Sequence, residues 1–249
     1  MKKIFFAFAL TSALFSCKKE TTTPNKNNNN GSSGKDTTIG KSGLNITDSE
    51  GNSYKTVTIG KQTWMAENLK VSKYNDGITI PNITDKKQWT ELRTGAWSYY
   101  NNDVTNNAKY GKLYNWYAVS KTTNGNKNVC PTGWHVPKDE EWKILSDYLG
   151  GVSAGGGVSA GGKMKEVGTT NWNSPNTDAT NTSLFTALPA GFRDYNGKYS
   201  SIGISCYWWS STENFTGDAW YRKLVYHNSV VERGPLPQFT GLSVRCLRD

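Results

Sequence analysis

The sequence predicts an α+β fold, with short helices in the first half of the folded domain and a twisted antiparallel sheet in the second. Three observations support this class. An amphipathic helical pattern follows Pro137, short β-prone runs separated by turns occupy the chain after Thr182, and ten Trp, thirteen Tyr and 25 Gly occur among 249 residues. This composition is typical of an aromatic core enclosed by many tight turns.

The first predicted element is a β-hairpin over residues 54–65. Both halves of this stretch are rich in Thr, Val, Ile and aromatic side chains, and a Gly–Lys pair between them supplies the turn. Farther along, Leu113, Trp116 and Tyr117 follow the i, i+3, i+4 spacing of one helix face. A short helix is therefore expected around these three residues.

The clearest helix follows Pro137. Residues 139–141 in its first turn are all acidic, and carboxylates at this position favour the positive end of the helix macrodipole. Neither a metal site nor a general acid is needed to explain them. Gly150 and Gly151 are expected to end the helix as C-cap glycines. The predicted apolar face consists of Trp142, Leu145, Tyr148 and Leu149.

Several short strands are expected between Thr182 and the end of the sequence. Asn196-Gly197 is a strong hairpin signal, because this dipeptide tolerates the left-handed backbone of a tight turn. Residues 150–161 contain the hexapeptide GGVSAG twice in tandem. This glycine-rich stretch lacks the Gly-Lys-Ser/Thr ending of a phosphate-binding loop, so it is interpreted as a loop insertion.

The amino-terminal end has the pattern of a bacterial export signal. Two lysines precede the apolar residues 4–15, a run too short to span about 30 Å of hydrocarbon as a helix. Leu14-Phe15-Ser16-Cys17 resembles a bacterial lipobox, in which the cysteine is lipidated and becomes the first residue of the mature chain. Residues 1–16 are therefore predicted to be a lipoprotein signal peptide and Cys17 the lipid anchor. The alternative is an ordinary signal peptide with an incidental cysteine.

Residues 17–45 are predicted to be the lipidated cysteine followed by a disordered linker. Thr, Asn, Ser, Gly and Lys dominate this stretch, and it has too few apolar side chains to offset the entropy of ordering. As a flexible coil it would span roughly 30 Å. The protein is therefore expected in the cell envelope as an outer-membrane lipoprotein, on either the periplasmic or the surface face, with the membrane as a partner through the lipid anchor.

Composition and spacing exclude several kinds of partner. The net charge of +9 is spread along the chain, and the folded domain, residues 46–249, is only mildly basic. This gives no electrostatic case for nucleic acid. The Cys and His spacings typical of structural zinc sites are absent. We therefore predict no cofactor.

Four stretches occur in an order that is specific to one family. They are residues 59–69 (IGKQTWMAENL), 130–137 (CPTGWHVP), 209–213 (WSSTE) and 241–246 (GLSVRC). Together they resemble the Fibrobacter succinogenes major paralogous domain, a family of exported bacterial domains, and the resemblance covers residues 46–249. It implies a domain type and no particular reaction. Three of the four stretches, through residues 130–134, 209–211 and 243–246, also resemble the C-type-lectin-like and formylglycine-generating-enzyme superfold, which implies that both ends of the domain lie beside a small sheet.

Three cysteines remain once Cys17 is lipidated, and they allow three single pairings. Cys130 and Cys246 lie in two of the family motifs, so the resemblance favours a disulfide between them, with Cys206 free and buried. An exported protein encounters the oxidising conditions that this bond requires. His135, in the second motif, is interpreted as a structural histidine rather than a general base.

The candidate ligand-binding residues are aromatic. Sugar rings stack on exposed Trp and Tyr side chains without calcium. The candidates are Trp97, Tyr99, Tyr100, Trp172, Tyr195 and Trp208. Core packing is the alternative for each of them. Glu213 and Asp218 are weak calcium candidates, with Asn214 and Asp194 as further oxygen donors, but the calcium-binding motifs of C-type lectins are absent.

These features predict a lipid-anchored envelope protein that binds or adheres and has no catalytic activity. Its expected ligand is a glycan or another surface protein, and no catalytic residue is assigned. One alternative is a structural surface-coat or protein-interaction module. Another is an enzyme of the formylglycine-generating-like superfold, which a reactive, accessible Cys206 or Cys246 would favour.

Overall fold

The computed structural model describes residues 38–151 and 159–249. The predicted signal peptide, the predicted lipid anchor Cys17, most of the predicted linker and the centre of the duplicated stretch lie outside these residues. The described chain has the predicted α+β class, with short helices and two five-stranded sheets. Of the helices described, none has both the length and the apolar character that crossing a membrane requires.

The first half of the described chain contains mostly very short elements. They are β1 (Lys41–Ser42), β2 (Ile46–Thr47), β3 (Ser53–Tyr54), β4 (Thr56–Ile59), β5 (Gln62–Met65), α1 (Lys86–Glu91), β6 (Trp97–Ser98), a 3-10 turn (Tyr100–Asn102), α2 (Asn106–Tyr110), β7 (Leu113–Tyr114), α3 (Trp116–Val119) and β8 (Trp134–His135). The second half has longer strands. Its elements are α4 (Asp139–Tyr148), α5 (Ala160–Met164), β9 (Ala190–Arg193), β10 (Tyr199–Ile202), β11 (Ser205–Phe215), β12 (Asp218–Val225), β13 (Glu232–Pro237) and β14 (Leu247–Arg248).

One sheet joins the beginning and the end of the domain. Its strand order is β1-β4-β5-β14-β8, and neighbouring strands are antiparallel. The predicted hairpin is confirmed as β4 and β5, which turn at Gly60 with a positive φ of 61°. Leu247 of β14 pairs with both Trp64 and His135, so the last strand lies between two earlier ones.

Residues 38–45 belong to this folded part, although composition assigns them to the linker. Lys41 pairs with Thr58 in the sheet. Two backbone N–H groups just before β1 donate to the carbonyl of Thr182 at 2.6 and 3.2 Å. The folded chain therefore begins before Ile46, because the free edge of β4 offers backbone hydrogen bonds that compensate for the polar composition.

The second sheet has the order β10-β9-β11-β12-β13. Its neighbours are antiparallel apart from one parallel contact between β9 and β11. This is the sheet predicted for the second half, and the Asn196-Gly197 turn connects β9 to β10 as expected. Pro235 and Pro237 lie in the edge strand β13, where a missing N–H donor is tolerated.

One predicted helix is shorter than expected. Leu113 lies in β7 and not on a helix face, because the N–H of Tyr114 donates to the carbonyl of Leu242 at 2.8 Å. The helix α3 begins only at Trp116. The side chain of Asn115 caps it by accepting an N–H from the first turn at 3.1 Å.

The longest helix, α4, forms where the sequence predicts it, but its buried face is narrower. Trp142, Leu145 and Leu149 are buried, whereas Tyr148 is 56% exposed. Lys138 is not the small polar residue preferred at a helix start. The carboxylate of Glu141 compensates by accepting the Lys138 N–H at 2.7 Å.

The core occupies both faces of the second sheet, because neighbouring residues of a strand point to opposite sides. On one face, Tyr207 and Trp209 pack with aromatic residues of β7 and α3 and with two cysteines. On the other face, Cys206 and Trp208 pack with α4, α5 and the first sheet. The second sheet is thus the central layer of the domain.

Five cationic side chains are buried within this core. They are Lys112, Lys165, Arg193, Arg222 and Arg245, and none is more than 4% exposed. A buried charge is costly unless it is hydrogen-bonded or paired. Each of these groups donates to backbone carbonyls, and Arg222 also pairs with Asp139 at 2.6 Å. Burial lowers the pKa of Arg245 to about 9 and that of Lys165 to about 8.

Arg245 lies between the two sheets. Its guanidinium donates to Asn68 Oδ1 at 3.0 Å and to the carbonyls of Phe185 and Thr186. It lies 4.2 Å from the ring centroid of Phe185 and 5.3 Å from that of Trp208. Hydrogen bonds and aromatic faces together compensate for the loss of water around the charge.

The predicted disulfide is confirmed. Cys130 and Cys246 are bonded across a sequence separation of 116 residues, and Cys206 is free and buried. Burial raises the pKa of the Cys206 thiol to about 12. This thiol is therefore neutral at physiological pH and a poor nucleophile.

His135 connects three elements. Its Nδ1 lies 2.6 Å from Asp249 Oδ1, and its Nε2 lies 3.0 Å from both carboxylate oxygens of Glu141. The hydrogen bond to Glu141 raises the pKa of His135, partial burial opposes this, and the hydrogen bond to Asp249 adds to the increase. The imidazole thus ties β8 to the first turn of α4 and to the residue after β14.

We expect the disulfide to provide a large share of the stability. Replacing Cys130 and Cys246 by Ala should lower the free energy of unfolding by about 4 to 5 kcal/mol, because the bond restricts the unfolded chain over a long loop. Urea denaturation measures this loss, and reduced wild-type protein should show a similar one. Alkylation of the denatured, unreduced chain should label Cys206 and leave the bridged pair unmodified. Labelling of all three would contradict the pairing.

We also expect the contribution of His135 to depend on pH. Its folded-state pKa is raised above the unfolded value of about 6.5, so its stabilisation is fully present below that pH and is lost as pH rises through the folded-state pKa. His135→Gln should therefore lower the free energy of unfolding by up to about 1 kcal/mol near pH 6 and by less near pH 9. Urea denaturation at both pH values tests this. An equal loss at both would mean that the ring contributes packing alone.

Candidate binding cleft

Four of the six aromatic residues predicted to stack on a ligand lie in the core. Trp97, Tyr100, Trp172 and Trp208 are 6%, 7%, 1% and 0% exposed. Because stacking requires an open ring face, the structure corrects the prediction for these four. Tyr99 is half-buried, and Tyr195 is 52% exposed.

Hydrogen bonds account for the burial of the three tryptophans. The indole N–H groups of Trp97 and Trp172 donate to backbone carbonyls at 2.8 and 2.9 Å. The indole of Trp208 donates to Asn68 Oδ1 at 2.9 Å. An indole whose N–H has a partner fits a core position without leaving an unsatisfied donor.

Tyr99 is a weak candidate because other groups of the protein occupy its ring. The Trp97 ring packs against it edge-on with the centroids 4.9 Å apart. The ammonium group of Lys112 lies 5.4 Å from its centroid. Tyr195 is therefore the one predicted stacking residue that the structure leaves open.

An open depression beside this ring is called the Tyr195 cleft here. It has a volume of about 750 Å³ and is lined by Asp85, Lys86, Lys87, Thr90, Tyr195, Asn196 and Lys198. One wall is the start of α1 with the residue before it. The other wall is the turn between β9 and β10. The cleft is thus built from two segments that are far apart in sequence.

The turn that carries Tyr195 has a fixed shape. Asp194 Oδ1 accepts the N–H groups of Asn196 and Lys198 at 2.9 and 2.8 Å. Gly197 has a φ of 74°, and a Cβ at this position would come within 2.9 Å of Lys86 Cγ. Glycine is therefore required both for the turn and for the close approach of the two walls.

Arg193 connects the two walls from below. This fully buried residue donates through Nε to the carbonyl of Gly197 at 3.3 Å. Its terminal nitrogens donate to the carbonyls of residues 83, 84 and 85 at 2.5, 3.1 and 3.3 Å. The guanidinium also lies 4.2 Å from the ring centroid of Trp89. One side chain thus fixes the backbone on both sides of the cleft.

Three exposed lysines line the Tyr195 cleft, and none forms an ion pair with a described residue. They are Lys86, Lys87 and Lys198. The nearby carboxylates of Asp85 and Asp194 instead accept backbone N–H groups. Sequence reasoning missed these lysines, because exposed lysines are common. The Asn196-Gly197 dipeptide predicts a tight turn with Tyr195 at the tip of a hairpin. The exposure of Tyr195 is therefore the feature of the site that the sequence indicates.

The weak calcium candidates do not form a metal site in the described chain. Glu213 Oε1 accepts a hydrogen bond from Gln238 at 2.8 Å, and Asp218 lies at the start of β12. Asp194 is engaged in its own turn. Within residues 38–151 and 159–249, no group of three or more His, Cys, Asp or Glu side chains is placed to hold a metal ion.

Two other cavities differ in character from the Tyr195 cleft. One of about 460 Å³ lies between the β2–β3 hairpin and Cys130, and one of about 420 Å³ surrounds His135. The first has one Phe, Tyr or Trp in its lining, Trp134, which is 6% exposed, and the second has no residue of these three types. Of the cavities described, the Tyr195 cleft therefore offers the most accessible ring for stacking.

Comparison with known proteins identifies one family. The model of the Fibrobacter succinogenes major domain matches residues 57–248. No curated protein and no solved structure matches the chain. The matched residues include every residue of the Tyr195 cleft and both disulfide-bonded cysteines. The chain therefore belongs to the Fibrobacter succinogenes major domain family.

Proposed function

We propose that this protein is a lipid-anchored binding protein of the cell envelope whose domain holds a carbohydrate without transforming it. The observation that carries the proposal is the exposed ring of Tyr195 in an open cleft. A flat apolar ring with polar neighbours is an arrangement on which sugar rings stack. Asn196 and Thr90 line the same cleft and offer the amide and hydroxyl groups that hydrogen-bond to sugar hydroxyls.

The envelope location rests on the amino-terminal sequence. A short apolar run ends at Cys17, and a polar stretch follows up to the first strand of the domain. Acyl chains on Cys17 would hold the chain at the outer membrane. The linker would then tether the domain to the membrane surface, on its periplasmic or outer side.

The thiols and the histidine favour binding over catalysis. An enzyme of the formylglycine-generating-like superfold would need reactive cysteines, whereas Cys130 and Cys246 are bonded to each other and Cys206 is buried with a raised pKa. Both ring nitrogens of His135 lie within 3.0 Å of carboxylate oxygens. The imidazole therefore has no free nitrogen for proton exchange with a substrate.

We also propose that the domain has the C-type-lectin-like or formylglycine-generating-enzyme-like architecture. The first sheet supports this proposal, because β14 at the end of the chain pairs with β5 near its beginning. The twisted second sheet and the short helices fit the same description. In such folds function depends on the particular site, so the Tyr195 cleft and not the architecture carries the argument.

A second candidate function is a contact with another surface protein. Ile144 and Tyr148 lie one turn apart on α4 and are 54% and 56% exposed. Exposed apolar side chains that neighbour each other on a helix are common in protein contacts. A structural coat or adhesion module would use this surface and would not require the Tyr195 ring.

Replacing Tyr195 by Ala tests the carbohydrate proposal. The full chain in detergent is screened on a glycan array with and without EDTA, and any glycan found is titrated by surface plasmon resonance. We expect the variant to bind about five- to tenfold more weakly, because the stacking surface is lost. Tyr148→Ala is the matched control, since it removes an equally exposed tyrosine from α4.

The outcomes distinguish carbohydrate binding at the Tyr195 cleft, calcium-dependent carbohydrate binding and contact with another protein. Binding that survives EDTA and is weakened only by Tyr195→Ala supports the Tyr195 cleft. Binding abolished by EDTA would mean that the ligand is held through calcium in the region of Glu213 and Asp218, and not by the Tyr195 ring. An array without any bound glycan would contradict carbohydrate binding and favour the protein contact at Ile144 and Tyr148.

A further inference from the structure

We infer that the ligand of the Tyr195 cleft is an acidic sugar chain, one whose rings carry carboxylate groups. This inference rests on the proposed function and specifies its ligand class. Its starting point is one open aromatic ring in the same cleft as three ammonium groups that form no ion pair with a described residue, those of Lys86, Lys87 and Lys198.

The groups in and below the cleft carry a net positive charge, and the lysine ammonium groups among them can bind a ligand. Counting Arg193 below the cleft, four cationic groups lie beside two carboxylates, those of Asp85 and Asp194. Each carboxylate has an oxygen that accepts backbone N–H groups, at 2.7 to 2.9 Å. No described carboxylate forms an ion pair with any of the three lysines, so their ammonium groups are free to bind anions from solution.

The walls of the cleft are held in place before a ligand arrives. Arg193 donates to carbonyls on both walls, and Gly197 lets the backbone of the turn approach α1 closely. A site that is already ordered loses less entropy on binding. Lysine ammonium groups are compact charges on flexible stems, so they can follow carboxylates that recur along a sugar chain without requiring one fixed geometry.

The aromatic content favours a sugar over a nucleic acid. The cleft has one exposed ring, Tyr195, in its lining. Proteins that bind single-stranded nucleic acids stack successive bases on several aromatic side chains. One ring next to several ammonium groups instead fits one pyranose face flanked by carboxylates.

The experiment compares two polymers that differ at one group of each sugar ring, a carboxylate in the first and an uncharged hydroxymethyl group in the second. Polygalacturonate and the same polymer after chemical reduction of its carboxyl groups are immobilised, and the full-length chain in detergent is passed over both. We expect binding to polygalacturonate and at least about tenfold weaker binding to the reduced polymer. Binding should also weaken as salt is raised from about 50 to about 500 mM, because exposed charges are screened.

Variants locate the binding to the cleft. Joint replacement of Lys86, Lys87 and Lys198 by Gln should weaken polygalacturonate binding about tenfold, and replacement by Arg should retain it, since each exposed ion pair contributes modestly. The matched control replaces three exposed lysines elsewhere, Lys41, Lys61 and Lys121, by Gln. The net charge changes equally in both triple variants, so a difference between them reports position. All these side chains are exposed, and unchanged melting temperatures confirm intact folding.

The results distinguish this inference from the proposed function. Equal binding of both polymers, with a loss only in Tyr195→Ala, would overturn the acidic ligand and leave carbohydrate binding standing. Equal weakening in the two triple variants would also overturn it, because the attraction would then come from overall charge. A single-stranded oligodeoxythymidine that binds as tightly as polygalacturonate would overturn the sugar specificity. Absence of binding to either polymer, together with an array without a bound glycan, would contradict both proposals.

Discussion

Buried backbone carbonyls impose the constraint on which the whole domain depends. Long irregular segments run between short strands, and their carbonyls need donors that no sheet provides. Buried cations supply them: Lys165 donates to the carbonyls of Thr177, Val225 and Asn228, and its ammonium lies 5.6 Å from the ring centroid of Trp172. The aromatic residues and the cations of this core thus act together. The rings stabilise the buried charges, and the charged groups donate hydrogen bonds to the buried carbonyls.

The same arrangement produces the candidate site. Arg193 is one of these buried cations, and the carbonyls that it satisfies include those of Gly197 and Asp85, one on each wall of the Tyr195 cleft. Its position explains why a surface depression between distant segments has a defined shape. The surface lysines add charge to walls whose backbone is already fixed by packing. The stability of the core and the geometry of the proposed binding surface are therefore linked.

Local signals allowed much of the fold to be predicted, and non-local packing accounts for the rest. The Gly60 turn, the α4 helix and the Asn196-Gly197 turn depend on nearby residues, so the sequence indicated them correctly. The pairing of Lys41 with β4 depends on an edge that the rest of the fold creates. Burial is equally non-local: Trp172 and Tyr195 are both aromatic residues in polar stretches of the sequence, and only the assembled domain places the first inside. Composition also gives no indication that a lysine such as Lys165 is buried, because most lysines are exposed.

The disulfide between Cys130 and Cys246 has a topological consequence for proteolysis of the domain. It encloses most of the second half of the chain, including β8, α4, α5 and all five strands of the second sheet, β9 to β13. A single backbone cut anywhere between the two cysteines opens the loop but leaves both fragments joined through sulfur. The cleaved protein would therefore keep the segment that carries Tyr195 joined to the amino-terminal part of the chain, and the cut would become visible as two separate chains only after reduction.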